Sequence, residues 1–457
     1  MNYRLRFGLA LLGAAWLTAG VAVAPTPVAA APPTTATAPA SQPTTAPVVA
    51  IVFHKLQDTG DKDADAKVNQ PIINEMVAKA VELSGGLEGL VKEGQTVLIK
   101  PNLTNLKEER VYQPGMTTDV RVVSALVDEL QAKTRGKVVI GEGSYIKTAK
   151  AYEACGYAAL GKAKGVPLID FVTDTLVPVK RPGLAYPEYR LPKSILDADV
   201  VIDAPVLKTH QLTGVSLGLK NWYGLLPPPR EYHEKIDQVL ADLAQIRKPD
   251  LVVVDGLVGM EGQGPVFGTP VPTNVVIAGR DMVAVDAVCS AVMGLDPKIV
   301  PHIQAAAQRG LGTADLNRIV LRGNSIDQVK HTFRQALASL HLACPKTDAN
   351  MKFLVTRCAS KEPVIRERQG QEQHLGWTTH WPAEALKIDR NKHPSLTSTG
   401  FQAHFYRDSD SIRFDVEYPV LNPEDKQALE QAMKRWIAEN MQAAATTRPT
   451  TIPALTP

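Results

Sequence analysis

The sequence predicts an α/β fold: an open, mostly parallel sheet with helices on both faces, followed by a small C-terminal α+β appendage. Three observations predict it. Apolar runs of strand length alternate with helical periodicity through the first three quarters of the folded chain, the pattern of parallel strands joined by crossover helices. Most of these runs are unbroken Val, Ile and Leu, as a sheet buried on both faces requires. From about Lys346 the pattern changes to short alternating segments and one amphipathic helix.

Taken in order, "VVAIVF" from Val48 and "TVLIKPN" from Thr96 read as strands. Thr118 or Asp119 caps the next helix, which carries Val123, Leu126, Val127 and Leu130 on one face. "KVVIGEGS" is the following strand, then a helix from about Lys147 to Lys162, then "VPLIDFV". The alternation resumes with "DVVIDAPVL", a helix near Gln238 to Ile246, "DLVVVDGLVG", "NVVIAG", a helix from Met282 to Met293 and "RIVLRG". This Rossmann-like alternation gives way to "KFLVTRCAS", "FQAHFYRD" and "SIRFDVEYP", which read as antiparallel strands with "RDSDS" turning between the last two. Asn422 caps a final helix with Pro423 at its first position and Leu429, Met433, Trp436, Ile437 and Met441 on one face.

The two ends differ in composition. Arg4 and Arg6 precede one apolar run and then the small residues Val28, Ala29 and Ala30, the layout of a secretory signal over residues 1–30. The run is short and poorly flanked for a membrane span, so the expectation is an exported, periplasmic or extracellular protein without a stable span after cleavage, with an uncleaved membrane anchor as the alternative. A Pro, Thr and Ala tract over 31–47 cannot bury a core and reads as a linker, and 443–457 closes the chain in the same way. Between them lie an α/β domain over 48–345 and an α+β domain over 346–442.

Composition excludes some functions. The 457 residues carry 50 basic and 47 acidic side chains; without Arg4 and Arg6 the count is 48 against 47, a net of +1, which argues against a nucleic-acid binder. Cys155, Cys289, Cys344 and Cys358 are scattered with no C-x-x-C pair. Cys344 and Cys358 are the pair closest in sequence, whereas Cys155 and Cys289 fall in apolar helical patterns and read as buried thiols.

Ligands of open parallel sheets bind beyond the carboxyl ends of the strands, so the residues just after each apolar run carry the functional signal. They are Lys100 and Asn102 after "TVLI", Glu142 and Ser144 after "KVVIG", Asp203, Lys208 and His210 after "VVI", and Asp255 and Glu261 after "LVVV". Lysines in such a crevice attract carboxylate or phosphate, and a desolvated lysine near other cations moves toward the neutral base. His210 titrates near neutral pH in its unperturbed state. Asp203 and Asp255 fit turn caps equally well. Glu261 lies in "GMEGQGPVFG", whose glycines permit close approach of backbone to a ligand. Gly262, Gly264 and Gly268 miss the dinucleotide fingerprint, and neither a P-loop nor a G-x-S-x-G occurs. His374, His380, His393 and His404 of the appendage, beside Trp377 and Trp381, are irregularly spaced and so are weak metal candidates.

"VLIKPNL", "DAPVLKTH" with "GLKNWYG", "VDGLVGMEGQGPVFGTP" and "AGRDMVAVDAVCSAVMG" resemble, in order, the motifs of the domain of unknown function 362 family, from about Ala50 to Gly323. The resemblance implies that Lys100, Asn102, Lys208, His210, Lys220, Asn221, Glu261, Gly262, Gly264, Pro265, Asp281 and Asp286 occupy motif positions. Many relatives carry a ferredoxin-like iron–sulfur module; the four cysteines here lack cluster spacing, so an iron–sulfur cluster within this chain is not expected.

The leading expectation is an enzyme acting on a small anionic substrate. Its catalytic residues are Lys208, His210 and Glu261; Lys100, Asn102, Lys220, Asn221, Gly262 and Gly264 bind the substrate; Asp255 and Asp286 are the candidate ligands of a divalent metal. The alternatives are a non-catalytic accessory protein holding a ligand, metal or cluster for an exported partner, and an iron–sulfur-associated redox protein.

Overall fold

The computed structural model describes residues 46–446 except 104–111, 145–146, 227–231, 346–347, 349, 351–363, 369–371, 382–385, 390–391, 394–395, 397–400, 408–410 and 420. The expected signal, nearly all of the linker, the "KFLVTRCAS" strand and most of the C-terminal tail lie outside the described residues.

The large sheet is built from β1 (Val48–Phe53), β2 (Thr96–Pro101), β3 (Lys137–Glu142), β4 (Leu168–Asp170), β7 (Val200–Ala204), β8 (Val206–His210), β9 (Gly214–Val215), β10 (Leu251–Gln263), β11 (Phe267–Gly279) and β12 (Val320–Gly323); β5 (Leu176–Val179) and β6 (Tyr189–Pro192) form a separate hairpin. Its order is β12-β1-β11-β10-β7-β2-β3-β4, with β8 beside β10 and β9 beside β8. Neighbours along the main path are parallel except at β11, which runs antiparallel to both β1 and β10. The sequence pattern had implied another parallel strand at "NVVIAG". Only residues 264–266 separate β10 from β11, far fewer than a parallel crossover needs, so the two form a hairpin.

Helices cover both faces of the sheet. On one face lie α1 (Lys62–Leu83), α2 (Val120–Lys133), α3 (Thr148–Ala154) and α4 (Tyr157–Lys164), packed on Val97, Ile99, Ile202 and Val253. On the other lie α6 (Leu217–Asn221), α7 (Ile236–Ile246), α8 (Met282–Val292) and α9 (Pro301–Gln308), packed on Leu98, Val201, Val252 and Val254; the short α5 (Lys193–Asp197) contributes Ile195 to this layer. Adjacent strand residues therefore feed opposite layers, which is why the strands read as continuous apolar runs.

Two helical readings change. Helix α1 went unread because its buried residues, Ile73, Met76, Val77, Ala80 and Val81, follow a charged first half and Pro71. The single helix expected from Lys147 is two, divided at Gly156, whose left-handed backbone (φ 80°) ends one and begins the next. Similarly "DVVIDAPVL" is divided at Pro205, where β7 ends and β8 turns to pair with β10.

The appendage is a five-stranded antiparallel sheet in the order β13 (Ala338–Pro345), β17 (Ser411–Tyr418), β16 (Phe401–Arg407), β15 (Glu372–Trp381), β14 (Val364–Arg368). Strand β13 falls in the stretch assigned by composition to the α/β domain, yet it pairs with β17 along its whole length. The C-terminal helix Pro423–Thr446 packs Leu429, Met433 and Ile437 against Ile412 and Val416, and Asn422 Oδ1 accepts from the Asp425 amide at 2.8 Å as its cap. Among the described residues no helix is long and apolar enough to cross a membrane.

The connections create one distinctive place. From β2 the chain moves to β3 and β4 on one side, whereas from β7 it moves to β10 on the other. The crevice beyond the carboxyl ends of β2 and β7 is therefore a topological switch point, where open α/β sheets bind ligands.

Candidate functional site

Lys100 and Asp203 are register partners on β2 and β7, so both side chains leave the same face of the sheet at the switch point. Both are fully buried. Lys100 Nζ donates to Glu142 Oε1 at 3.0 Å, Asn221 Oδ1 at 3.2 Å and the Pro101 carbonyl at 3.2 Å. Glu142 also accepts the Leu103 amide at 2.9 Å, which ties the end of β3 to the segment after β2. Ser144 Oγ donates to the Leu103 carbonyl at 3.2 Å.

Two amides extend this pair into a chain. Asn221 Oδ1 also accepts from Asn102 Nδ2 at 3.0 Å, while Asn221 Nδ2 donates to Asp203 Oδ1 at 2.7 Å. Asn102 Oδ1 accepts from Lys208 Nζ at 2.6 Å, and Lys208 also donates to the Met116 carbonyl at 2.6 Å. Glu142, Lys100, Asn221, Asn102, Asp203 and Lys208 thus form one hydrogen-bonded network drawn from four distant sequence segments. Burial pushes Lys208 down to about 7, with the Lys100 charge adding to the effect and Glu142 opposing it. Burial pushes Asp203 well above the usual carboxylate range against the pull of Lys100 and Asn221, and its Oδ2 has no hydrogen-bond partner among the described residues.

His210 lies two residues beyond Lys208 on β8 and so shares its side of the strand. Its Nδ1 accepts from the Leu212 amide at 3.1 Å, which leaves Nε2 as the N–H of the neutral ring. Burial, reinforced by Lys220, Lys208, His302 and His233, holds His210 well below its ordinary value. Between them Thr209 points the other way, its Oγ1 donating to the Gly262 carbonyl at 2.8 Å. A Cβ on Gly264 would stand 2.1 Å from the Thr209 carbonyl oxygen, so the approach this glycine permits is that of the β10–β11 hairpin to β8. Gly262 has a left-handed backbone (φ 73°) in the same hairpin.

The remaining sequence candidates have other attachments. Glu261 accepts from Arg334 through its amide at 2.9 Å and its Nε at 2.7 Å. Burial is the largest single influence on Glu261 and raises it, but the Arg334 hydrogen bonds and charge together outweigh it and hold the carboxylate below its ordinary value. The structure therefore joins Glu261 to Arg334 rather than to His210. Asp255 accepts the Asp119 and Leu257 amides at 2.7 and 3.0 Å, beside the cap of α2. Asp286 accepts the Gly218 and Leu219 amides at 2.9 and 2.8 Å and anchors the start of α6, the helix that carries Lys220 and Asn221. Asp281 caps α8 through the Ala284 amide at 3.0 Å. Asp255 and Asp286 thus hold backbone amides at the starts of helices in opposite layers, α2 and α6. No group of three or more His, Cys, Asp or Glu side chains among the described residues has metal-binding geometry. Cys155 and Cys289 are free thiols in those same opposite layers.

His302 is the residue that sequence reading missed. It begins α9, is fully buried, and neither ring nitrogen has a hydrogen-bond partner among the described residues. A lone histidine after a proline carries no pattern that marks it. Gly218 was also unread: a Cβ there would lie 3.0 Å from both Asp203 Oδ2 and Asp286 Oδ1.

Fold and site together define an open α/β protein with a buried lysine, amide and carboxylate network at its switch point. A family profile described as "Domain of unknown function (DUF362)" matches residues 97–291. The chain is 31% identical over 247 residues to the thylakoid-associated protein sll1697 of Synechocystis sp., a match covering 50% of this chain and 73% of that protein. It belongs to the domain of unknown function 362 family. Among solved structures, the lactate racemase apoprotein from Thermoanaerobacterium thermosaccharolyticum is similar at 13% identity and a TM-score of 0.34, over 49% of this chain and 55% of that one. The chain therefore spans little more than half of that structure.

Proposed function

We propose that this protein is an enzyme that binds a small carboxylate or phosphate at the switch point and moves a proton on it, with Lys208 as the proton carrier and His210 as a hydrogen-bond donor to the ligand. The observation that carries this reading is their placement: two buried titratable side chains, two residues apart on one side of β8, joined through Asn102 to a network that fixes Lys208. A lysine held near neutrality accepts a proton readily, and a neutral imidazole whose Nδ1 is occupied offers Nε2–H as a donor. Lys220 supplies positive charge for the substrate anion, while Lys100, Asn102 and Asn221 position Lys208 and Asp203. Glu261 acts at the rim by holding Arg334. The reading includes export, supported by Arg4, Arg6 and the apolar run that follows.

Lys208→Met keeps the length of the side chain and removes its charge. It is expected to fold with a melting temperature equal to or above that of the wild type and to bind inorganic phosphate or oxalate at least tenfold more weakly by titration calorimetry. Undiminished binding by both Lys208→Met and His210→Gln would eliminate the site. Tight binding with no turnover across a panel of small carboxylates and phosphoesters would instead assign a carrier.

A further inference from the structure

The α/β core and the appendage meet across a cleft of 200 Å³. The core contributes Leu212 and Asp237 to its lining, and the appendage contributes Tyr418, Leu421, Lys426 and Glu430. Leu212 is 56% exposed, a large apolar side chain presented to open space rather than packed into either core. The volume lies below the range of about 300–1,000 Å³ that holds drug-sized ligands, so the cleft suits a smaller molecule.

The charged groups of the lining are not equally engaged. Glu430 accepts from Lys434 Nζ at 2.6 Å on its own helix, so its charge is already balanced. Asp237, in the first turn of α7, and Lys426, in the first turn of the C-terminal helix, bring opposite charges from the two walls. No ion pair joins them among the described residues, so they share the cleft without closing it. Asp237 Oδ1 is buried and has no hydrogen-bond partner among the described residues, a state that most buried polar atoms avoid. Burial pushes Asp237 up to about 6, and the Lys426 charge draws it back only in part.

We propose that this cleft binds a small zwitterion, an α-amino acid with an aliphatic side chain: Asp237 holds its ammonium group, Lys426 its carboxylate, and Leu212 and Leu421 its side chain. Charge complementarity selects this occupant. A simple amine would leave Lys426 uncompensated, and a simple carboxylate would face Asp237 and Glu430. The two leucines favour an aliphatic body over a polar one. The Tyr418 hydroxyl, pushed up by burial and by the Glu430 charge, stays a neutral donor in the lining. Lys208 and His210 are not part of the lining, so the site is separate from the anion site proposed above. Its ligand bridges α7 and the C-terminal helix and thereby ties the appendage to the core.

The test titrates the full chain by calorimetry with L-leucine, and with isoamylamine and isocaproate, which each lack one of its two charges. Leucine is expected to bind, and each analogue to bind about tenfold more weakly or worse. Asp237→Asn and Lys426→Gln are each expected to weaken leucine binding about tenfold while leaving phosphate or oxalate binding unaltered. Asp237→Asn should keep or raise the melting temperature, because it removes a carboxylate buried without a partner. No leucine binding by the wild type, or equal binding by both variants, overturns the zwitterion site and leaves the switch-point reading standing. Isoamylamine binding as tightly as leucine overturns the role of Lys426 and the zwitterion with it. If Asp237→Asn does not fold, Lys426→Gln, at an exposed position, decides by the same comparison.

Discussion

At the scale of single residues, Lys100 and Glu142 show how far the network depends on completeness. The pair is buried, at 0% and 3% side-chain exposure, and each partner holds further groups in place. Removing one charge leaves the other buried without compensation, which costs about 3–5 kcal/mol. Glu142→Gln is therefore expected to lower stability by about that amount in urea unfolding, whereas a loss below about 1 kcal/mol would mean that the pair is already solvated. Gly218 is constrained from the other side. In Gly218→Ala the new methyl meets two carboxylate oxygens at 3.0 Å, so one carboxylate must move. A destabilisation of about 1–3 kcal/mol is expected, together with weaker phosphate or oxalate binding because Asn221 follows on the same short helix. The sequence made Lys100, Asn102, Lys208, Asp203 and Asn221 legible because each directly follows an apolar run or falls in a family motif. His302 was not legible, since its significance comes from burial and from unpartnered nitrogens, which are properties of packing rather than of pattern.

At the scale of elements, the β10–β11 hairpin is the part whose role differs most from the expectation. Its glycines suggested a loop closing on a ligand, but Gly264 lets the hairpin backbone approach Thr209, and the Gln211 amide donates to the Gly264 carbonyl at 3.0 Å. The hairpin thereby fixes β8, the strand that presents Lys208 and His210. In Gly264→Ala the added carbon cannot stand 2.1 Å from a carbonyl oxygen, so β8 and the hairpin must separate. Loss of probe binding is expected even though the Gly264 amide is already engaged by the Gly262 carbonyl at 2.7 Å, and amide exchange should accelerate in β8 and in residues 261–268 while β2 and β3 retain their protection. Unchanged exchange in β8 alongside lost binding would instead return Gly264 to direct ligand contact. The strands themselves were readable because burial on both faces forces apolar continuity. Their direction was not, since an apolar run reads the same in either sense and only the short 264–266 connection reveals the hairpin.

At the scale of the whole molecule, the site sets a pH dependence on folding whose sign follows from the direction of each shift. Lys208 is held at about 7 in the fold, below its ordinary value, so the folded state binds fewer protons than the unfolded chain across the interval above 7. Stability from this group therefore rises with pH between about 7 and the ordinary lysine range near 10.4. Asp286, raised to about 7 by burial, and Asp203, raised well above the usual range, behave oppositely: the folded state retains protons that the unfolded chain has released, so their contribution falls as pH rises from about 4 toward 7. The two trends meet near neutrality, so the buried network burdens the fold most at the pH where neutral Lys208 and its protonated form are both populated. That coincidence is expected of a site retained for chemistry rather than for stability. Lys208→Met removes only the lysine trend. Its stability should exceed that of the wild type at pH 7, by at most a few kcal/mol, and the excess should shrink steadily as the pH is raised toward 10. A constant difference across pH 7–10 in urea unfolding would show that Lys208 carries its ordinary charge in the folded protein, and with it the proposed role of Lys208 as a proton acceptor would be lost.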